Sequence, residues 1–241
     1  MLQKIKQVLE NPREKKVYNE QLFTVVAPRY DLITKVLSFG QDNAWKRRLI
    51  QSLPDKKQAK CLDIACGTGD ITFSLAKKFP DSIIYGIDLT PSMLAIAEQK
   101  NSFSNIFFKQ ADMCMLSYDN ESIDIITGGY ALRNAPSLDK AIIEIARVLK
   151  VGGTAAFLDF SKPKNRFLQN MSYYILKWWG GFWGILLHRD PTVYSYIAES
   201  LALYPDRQAL RLLLEKHGFR IEKSKLLMGG LLELIVCTKR V

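Results

Sequence analysis

The stretch Lys60-Cys-Leu-Asp-Ile-Ala-Cys-Gly-Thr-Gly-Asp70 decides the fold. Its first half, residues 61–64, is an apolar run broken only by Asp63, which is typical of a buried parallel strand. The turn Gly67-Thr68-Gly69 follows at once, and an amphipathic segment begins at Asp70. A strand, a glycine turn and a helix start open a βαβ unit, where glycines admit a close ligand and the helix N-terminus offers free N–H groups.

A second acidic residue favours a nucleoside ligand at this turn. Asp88 ends the predicted strand Tyr85-Gly-Ile-Asp88, 21 residues after Gly67. A carboxylate at that position can accept hydrogen bonds from ribose hydroxyls. Thr72 stands where a dinucleotide site would carry its third glycine, so the pattern favours a single nucleoside over NAD. The alternative is a structural turn with a capping acid.

Strand and helix patterns alternate through much of the chain. We predict strands at residues 60–65, 82–88, 104–109, 122–128 and 153–160, and two final strands at 219–225 and 231–238. This alternation predicts an α/β fold with a doubly wound, mostly parallel sheet, N-terminal helices and an inserted helical lid. Ligands of such sheets bind beyond the carboxyl ends of the strands. The candidate residues at those ends are Asp63, Asp88, Asp112, Gly129 and Asp159.

The helices and the division of the chain follow from the same patterns. We predict helices at 1–20 with a break near Asn11-Pro12, and at 31–37, 41–53, 137–150 and 206–217. We expect Asp31 to cap the second helix, Gly40 to end it, and Gly152-Gly153 to stop the helix before the last core strand. Length and composition fit one domain. Its parts are a helical cover (1–55), a cofactor-binding core (56–165), an aromatic lid segment (166–205) and a C-terminal helix with strands (206–241).

The chain is basic, and its positive charge is concentrated near the start. The formal net charge is +10, and residues 1–60 hold 13 Lys/Arg against 6 Asp/Glu. Such a segment can contact RNA, an anionic membrane surface or an acidic partner. No signature of a nucleic-acid-binding module accompanies it, so nucleic acid is not an expected partner. A solvated basic face is the alternative to a membrane-surface role.

Targeting signals and cysteines point to the cytoplasm. No leading apolar signal segment precedes the first predicted helix, so we expect a cytoplasmic location. The four cysteines form no C-x-x-C pair; they are Cys61, Cys66, Cys114 and Cys237. We therefore expect free thiols and no metal site.

Residues 167–187 are dense in aromatic side chains, among them Trp178, Trp179 and Trp183. The segment approaches the ~20 residues that a transmembrane helix needs. Polar residues and Gly180-Gly181 interrupt it, which argues against a membrane span. A lid over an apolar pocket or an interfacial helix fits better, and ordinary packing of a core helix is the alternative.

Several motifs together resemble a known family. The stretch from Asp63 to Gly69, with Asp88, resembles the first two motifs of class I S-adenosylmethionine-dependent methyltransferases. Further motifs narrow the resemblance: Phe23-Thr-Val-Val-Ala-Pro-Arg-Tyr-Asp31, Ser38-Phe-Gly40, Trp45-Lys46, Leu132-Arg-Asn134, Arg147-Val-Leu-Lys150, Phe160-Ser-Lys-Pro163 and Tyr204-Pro-Asp206. In this order they resemble the C-methyltransferase family of ubiquinone and menaquinone biosynthesis, over about residues 20–220.

The resemblance implies a Rossmann-like methyltransferase that moves a methyl group from S-adenosyl-L-methionine to a ring carbon of a polyprenylated quinol. The implied cofactor-binding residues are Asp63, Gly67, Thr68, Gly69, Asp88, Leu89, Met93, Asp112, Met113 and Gly129. The implied catalytic residues, facing the ring, are Tyr30, Arg133 and Asn134. Arg133 stays protonated at neutral pH and can stabilise a phenolate rather than act as a base.

The resemblance leaves the acceptor and the partners open. Residues 228–235 lack the histidine that the family carries near its end, so no proton acceptor is assigned. The acceptor is either a quinol of the demethylmenaquinol or ubiquinol-precursor type or another apolar aromatic or terpenoid molecule. A non-catalytic cofactor-binding scaffold of a quinone-synthesis assembly is the alternative from a different class. The expected partners are the lipid-soluble quinol and an anionic membrane contacted peripherally, and a homodimer stays open.

Overall fold

A computed structural model describes residues 2–240 of the chain, which are built around seven strands. The strands are β1 (Lys60–Ile64), β2 (Ile83–Asp88), β3 (Ile106–Gln110), β4 (Ile123–Gly129), β5 (Leu149–Phe160), β6 (Phe219–Leu227) and β7 (Leu232–Lys239). They form one sheet in the order β3-β2-β1-β4-β5-β7-β6. The first five run parallel, and β7 pairs antiparallel with both β5 and β6. The predicted doubly wound, mostly parallel sheet is confirmed.

Ten helices accompany the sheet in the described residues. They are α1 (Leu2–Glu10), α2 (Pro12–Val26), α3 (Tyr30–Leu37), α4 (Asp42–Gln51), α5 (Asp70–Lys78), α6 (Pro91–Lys100), α7 (Leu138–Val148), α8 (Arg166–His188), α9 (Thr192–Leu203) and α10 (Arg207–Lys216). Short 3₁₀ turns occupy Ala27–Arg29, Leu132–Asn134 and Met228–Gly230. Within the described residues, no helix is both long enough and apolar enough to cross a bilayer.

Apolar side chains cover both faces of the sheet, as its parallel part requires. On one face, Ile142 and Ile145 of α7 and Leu214 of α10 pack in a buried cluster with Leu62 of β1. On the other face, residues of α4 and α5 pack in a second buried cluster with Cys61. Successive residues of β1 therefore contribute to opposite faces, which fixes the strand between two helical layers.

The region around Gly152 differs from the prediction. Helix α7 ends at Val148, and β5 begins at Leu149, so the two glycines do not stop a helix. Ile123 of β4 pairs with Leu149, but Ile125 pairs with Thr154, so the intervening residues of β5 form a bulge. Gly152 lies there with φ +74°, a conformation that glycine adopts without strain. The glycines therefore serve an irregular strand.

The cap predicted at Asp31 is also wrong. Helix α3 already begins at Tyr30, and no side chain caps its N-terminus. Asp31 instead accepts a hydrogen bond from the Thr68 hydroxyl at 2.6 Å and pairs with Lys100. The prediction that Gly40 ends this helix is confirmed: Gly40 has φ +76° and its N–H donates to the Lys35 carbonyl at 2.7 Å.

The helices before β1 lie across the carboxyl ends of the strands. Lys16 of α2 forms an ion pair with Asp112 at 2.8 Å, just beyond β3. Asn19 of the same helix donates to the Asn134 carbonyl at 2.7 Å, beyond β4. The proposed division of residues 1–241 into cover, core, lid and C-terminal part stays a prediction, and its end residues Met1 and Val241 lie outside the described residues.

Candidate functional site

A polar cleft lies beyond the carboxyl ends of β1, β2 and β4. It encloses about 620 Å³, including the part open to solvent. Seven of the predicted cofactor residues line it: Gly67, Asp88, Leu89, Met93, Asp112, Met113 and Gly129. The strand ends named in the sequence therefore converge on one opening, as parallel strands require.

Asp88 is the central polar group of the cleft. It is 9% exposed, and its two carboxylate oxygens accept the backbone N–H groups of Gly67 at 2.8 Å and of Thr90 at 2.9 Å. Burial raises the pKa of Asp88, and these hydrogen bonds oppose the rise. These bonds hold the carboxylate in one orientation at the cleft, where its oxygens can accept hydroxyls of a ribose.

Gly67 and Gly69 are needed in the turn for two different reasons. Gly67 has φ +55° and Gly69 has φ +93°. A Cβ on Gly69 would lie 2.7 Å from the ring of Phe73, whereas one on Gly67 would meet only Tyr30, at 3.8 Å. Gly69 therefore allows the turn to pack on α5, and Gly67 presents bare backbone to the cleft.

Three predicted cofactor residues do not line the cleft: Asp63, Thr68 and Gly69. Asp63 is fully buried below it and accepts the hydroxyls of Thr72 at 2.7 Å and Thr127 at 2.8 Å. Burial raises the pKa of Asp63 to about 7, although both hydroxyls oppose this. The Asp63 carboxylate thus accepts from hydroxyl groups of the protein, and these bonds tie β1 to α5 and β4.

An apolar cavity adjoins the polar cleft. It encloses about 1090 Å³, including the part open to solvent, and its walls come from α2, α3, α8, α9 and the Leu132–Asn134 turn. Leu22, Ile33, Leu176 and Val193 are typical of its lining. Four residues line both the cleft and the cavity: Phe23, Tyr30, Tyr130 and Asn134. We call these four residues the shared wall.

Two predicted catalytic residues, Tyr30 and Asn134, belong to the shared wall, and the third, Arg133, lines the apolar cavity. Burial raises the pKa of Tyr30 to about 12, so its phenol keeps its proton at neutral pH. The Asn134 amide is fixed because it donates to the Tyr130 carbonyl at 2.8 Å and accepts the Tyr196 hydroxyl at 3.0 Å. The structure therefore brings the three predicted residues together.

Arg133 is a buried cation at the edge of the cavity. It is 4% exposed, and its guanidinium lies 5.0 Å from the Phe160 ring centroid and 5.7 Å from that of Tyr196. Its side chain also donates to the Ser200 hydroxyl. Its Nε lies 3.8 Å from Asp159 and has no hydrogen-bond partner among the described residues. Asp159, predicted as a ligand-binding strand end, instead acts as the counter-ion of Arg133.

Sequence reasoning missed Asn19, Tyr196 and Tyr130. Asn19 is 3% exposed, and its side-chain oxygen accepts the Tyr196 hydroxyl at 2.7 Å. The Tyr130 hydroxyl donates to Asp42 at 2.7 Å. These partners come from helices far apart in the chain, so no local motif signals them; a buried asparagine on an amphipathic helix is the one available hint.

Helix α8 has two apolar faces, one toward the cavity and one toward solvent. Leu176 and Trp179 line the apolar cavity. Trp178 is 76% exposed and Phe182 is 55% exposed, so they lie on the outer face of the helix. Gly180 allows close packing on α9, because a Cβ there would lie 2.7 Å from the Tyr194 carbonyl oxygen. The segment covers the cavity and also exposes an apolar surface.

Comparison with known proteins adds to this geometry. The model of the ubiE/COQ5 methyltransferase family matches residues 9–239. The demethylmenaquinone methyltransferase of Staphylococcus carnosus is 32% identical over 223 residues, which is 92% of each chain. That of Lactobacillus johnsonii is 35% identical over 223 residues, 90% of each chain. A SAM-dependent methyltransferase structure from Thermotoga maritima has a TM-score of 0.65 at 16% identity, covering 92% of this chain and 100% of that one, and supports the fold alone.

Proposed function

This chain belongs to the ubiE/COQ5 methyltransferase family, and from that premise we propose that it methylates a ring carbon of a polyprenylated quinol of the demethylmenaquinol or ubiquinol-precursor type. The methyl donor is S-adenosyl-L-methionine, as in the family. The observation that carries the proposal is the shared wall, where a polar cleft suited to a nucleoside meets an apolar cavity suited to a prenylated ring. Because the same four residues line both spaces, a donor and an acceptor bound in them lie side by side, as methyl transfer requires.

The polar cleft fits the methyl donor. Asp88 offers two fixed acceptors for ribose hydroxyls, and Met93 and Met113 provide apolar surface for an adenine. S-adenosyl-L-methionine supplies a methyl group bonded to a positively charged sulfur. The carboxylate of Asp88 has no cationic partner among the described residues, so it gives the cleft a negative charge that suits such a cation.

The apolar cavity fits the acceptor. Its lining is dominated by aliphatic and aromatic side chains and includes a few hydroxyl, amide and guanidinium groups. A quinol with an isoprenoid tail likewise combines a polar ring with an apolar chain. Arg133 stabilises the negative charge that develops on a ring hydroxyl when the neighbouring carbon attacks the methyl group.

The two alternative functions differ from this proposal in testable ways. An apolar aromatic or terpenoid acceptor would occupy the same cavity, and only a substrate panel separates it from a quinol. A non-catalytic scaffold needs the cleft alone. The Nε of Arg133 beside the cavity has no hydrogen-bond partner among the described residues, which favours an enzyme because a bound acceptor can use this donor.

Incubation with isotope-labelled S-adenosyl-L-methionine and a panel of prenylated benzoquinols, prenylated naphthoquinols and terpenoids without a quinol ring tests the proposal. We expect label on a ring carbon of a reduced prenylated compound, because only the reduced ring is electron-rich enough to attack. The oxidised form of the same compound is the matched control and should stay unlabelled. Label on terpenoids only, or on no member of the panel, would contradict the quinol assignment.

We further propose that the enzyme works at the cytoplasmic face of a membrane, where its substrate is dissolved. The outer face of α8 exposes apolar side chains at helical spacing: Phe167, Met171, Tyr174, Ile175, Trp178, Phe182, Ile185 and Leu186. Phe167 is 73% exposed. A monomer rarely exposes a continuous apolar face of this kind without a partner. The basic first quarter of the chain adds attraction to anionic lipids, about 1 kcal/mol per Lys or Arg at the surface.

Flotation with anionic vesicles tests the membrane contact. We expect binding at low salt and release at high salt, which screens the charge attraction. Leu186→Gln should weaken partitioning by about tenfold, because burial of a leucine side chain contributes at least ~1.5 kcal/mol. Leu212→Gln is the matched control, since Leu212 on α10 is 58% exposed and Leu186 is 59% exposed. Equal effects of the two substitutions, or no binding at low salt, would exclude α8 as the contact.

A further inference from the structure

We propose that Tyr130 and Asp42 form the path by which the ring proton leaves the apolar cavity after methyl transfer, an inference that rests on the proposed function. A new carbon–carbon bond leaves the acceptor carbon with both the methyl group and its original hydrogen. The ring becomes aromatic again when that C–H bond breaks and its electron pair returns to the ring. A base must therefore accept one proton in each catalytic cycle.

The cavity contains no ordinary base. Among the described residues that line it there is no Asp, Glu or His. Its titratable residues are Tyr30, Tyr130, Arg133, Tyr194 and Tyr196. The guanidinium of Arg133 stays protonated and cannot accept a proton. A tyrosine hydroxyl of this lining with a base behind it can take the proton instead.

Two of the four tyrosines have such a base. Tyr130 donates to Asp42 Oδ1 at 2.7 Å, and the Tyr194 hydroxyl lies 2.8 Å from His188 Nε2. The Tyr196 hydroxyl bonds to side-chain amides, and the Tyr30 hydroxyl has no carboxylate or imidazole partner in the described residues. The positions of the two tyrosines decide between these pairs. Tyr130 belongs to the shared wall, whereas Tyr194 lines only the apolar cavity. The reacting carbon must lie next to the methyl donor, at the shared wall.

The charges behind Tyr130 allow Asp42 to accept a proton. Lys46 Nζ lies 2.6 Å from Asp42 Oδ2 and 2.9 Å from Asp70 Oδ2, so two carboxylates share one ammonium. Protonation of Asp42 leaves Lys46 paired with Asp70, and no buried charge loses its partner. Burial would lower the pKa of Lys46, but the two carboxylates raise it, so Lys46 remains a cation throughout.

The step itself moves two protons. The ring proton bonds to the Tyr130 oxygen while the hydroxyl proton of Tyr130 moves to Asp42 Oδ1, and the phenol is neutral before and after. Burial, together with the Asp42 carboxylate, raises the pKa of Tyr130 well above its ordinary value, which disfavours a tyrosinate. The Asp70 side chain is 38% exposed. The cluster of Asp42, Lys46 and Asp70 therefore extends from the buried Asp42 to solvent.

A quinol carrying deuterium on the methyl-accepting carbon tests the path. We expect no isotope effect on kcat in the wild type, where proton loss follows methyl transfer quickly. Tyr130→Phe and Asp42→Asn should lower kcat by about 100-fold, the low end for a positioned proton-transfer group, and a primary isotope effect should appear. Tyr130→Phe keeps the ring that lies 5.8 Å from that of Phe160. Tyr194→Phe removes a hydroxyl from the same cavity. It should show no isotope effect, whatever its kcat.

The path is wrong if Tyr130→Phe shows no isotope effect, or if the effect appears only in Tyr194→Phe, while wild type still methylates a quinol. Absence of quinol methylation by wild type would instead overturn the proposed function.

Discussion

Replacing Arg133 by Ala should lower kcat for quinol methylation by at least about 100-fold, or ~3 kcal/mol in the barrier, as expected for removal of one positioned donor to a developing oxyanion. Arg133 lines the apolar cavity and not the polar cleft, so the affinity for S-adenosyl-L-methionine should change by no more than a few-fold. Steady-state kinetics with the reduced acceptor and calorimetry with the cofactor measure the two quantities separately.

The environment of Arg133 requires a matched control. Its removal leaves the buried Asp159 carboxylate without its cation, at a cost of about 3–5 kcal/mol in stability. Arg133→Lys keeps the positive charge beside Asp159 but cannot reproduce the planar guanidinium between Phe160 and Tyr196. We expect Arg133→Lys to recover much of the stability and little of kcat. Normal turnover by folded Arg133→Ala would refute the ring-facing role.

Replacing Asp88 by Ala should weaken cofactor binding by about 10- to 100-fold, because a hydrogen-bonded charged acceptor contributes ~1–3 kcal/mol. The substitution removes both ribose acceptors and the two bonds that fix the N–H groups of Gly67 and Thr90. Asp88→Asn is the sharper variant, because an amide offers one oxygen and would direct its NH₂ toward one of those donors. Calorimetry should therefore show weak binding for both variants.

The same assignment predicts a pH dependence of cofactor binding. Burial raises the pKa of Asp88, so the carboxylate gains a proton at a higher pH than an exposed aspartate does. Affinity should fall as the pH drops through that raised pKa, and Asp88→Asn should lose this dependence. Equal affinities of wild type and Asp88→Ala would contradict the ribose role of Asp88.

The sequence predicts positions best within one βαβ unit. The turn at Gly67 and the acid at Asp88 lie on adjacent strands of one βαβ unit, so their spacing carries their geometry. The hydrogen bond from Tyr130 to Asp42 joins residues 88 apart, and that from Asn19 to Asn134 joins residues 115 apart. Such pairs depend on where the covering helices pack. No local sequence pattern predicts that position.

The direction of a side chain is the second feature that could not be predicted from the sequence. Asp63 and Asp159 lie at strand ends as predicted, but the fold turns Asp63 toward Thr72 and Thr127 and turns Asp159 toward Arg133. Alternation along a strand predicts which residues share a face, not which of several polar neighbours a carboxylate meets. The bulge of β5 is similar, because its glycines suit a helix stop and an irregular strand equally well.

The position of β7 between β5 and β6 has a consequence for synthesis of the chain on the ribosome. β6 leaves the ribosome before β7, yet among the described residues its strand partner is β7 alone. Until β7 emerges, the open edge of β5 is unpaired, and an exposed edge of this kind can pair with other chains. Joining β5 to β7 also closes a long loop that contains the lid helices, a slow type of contact. The nascent chain can therefore assemble β1–β5 early, but the sheet is completed only when β7 inserts.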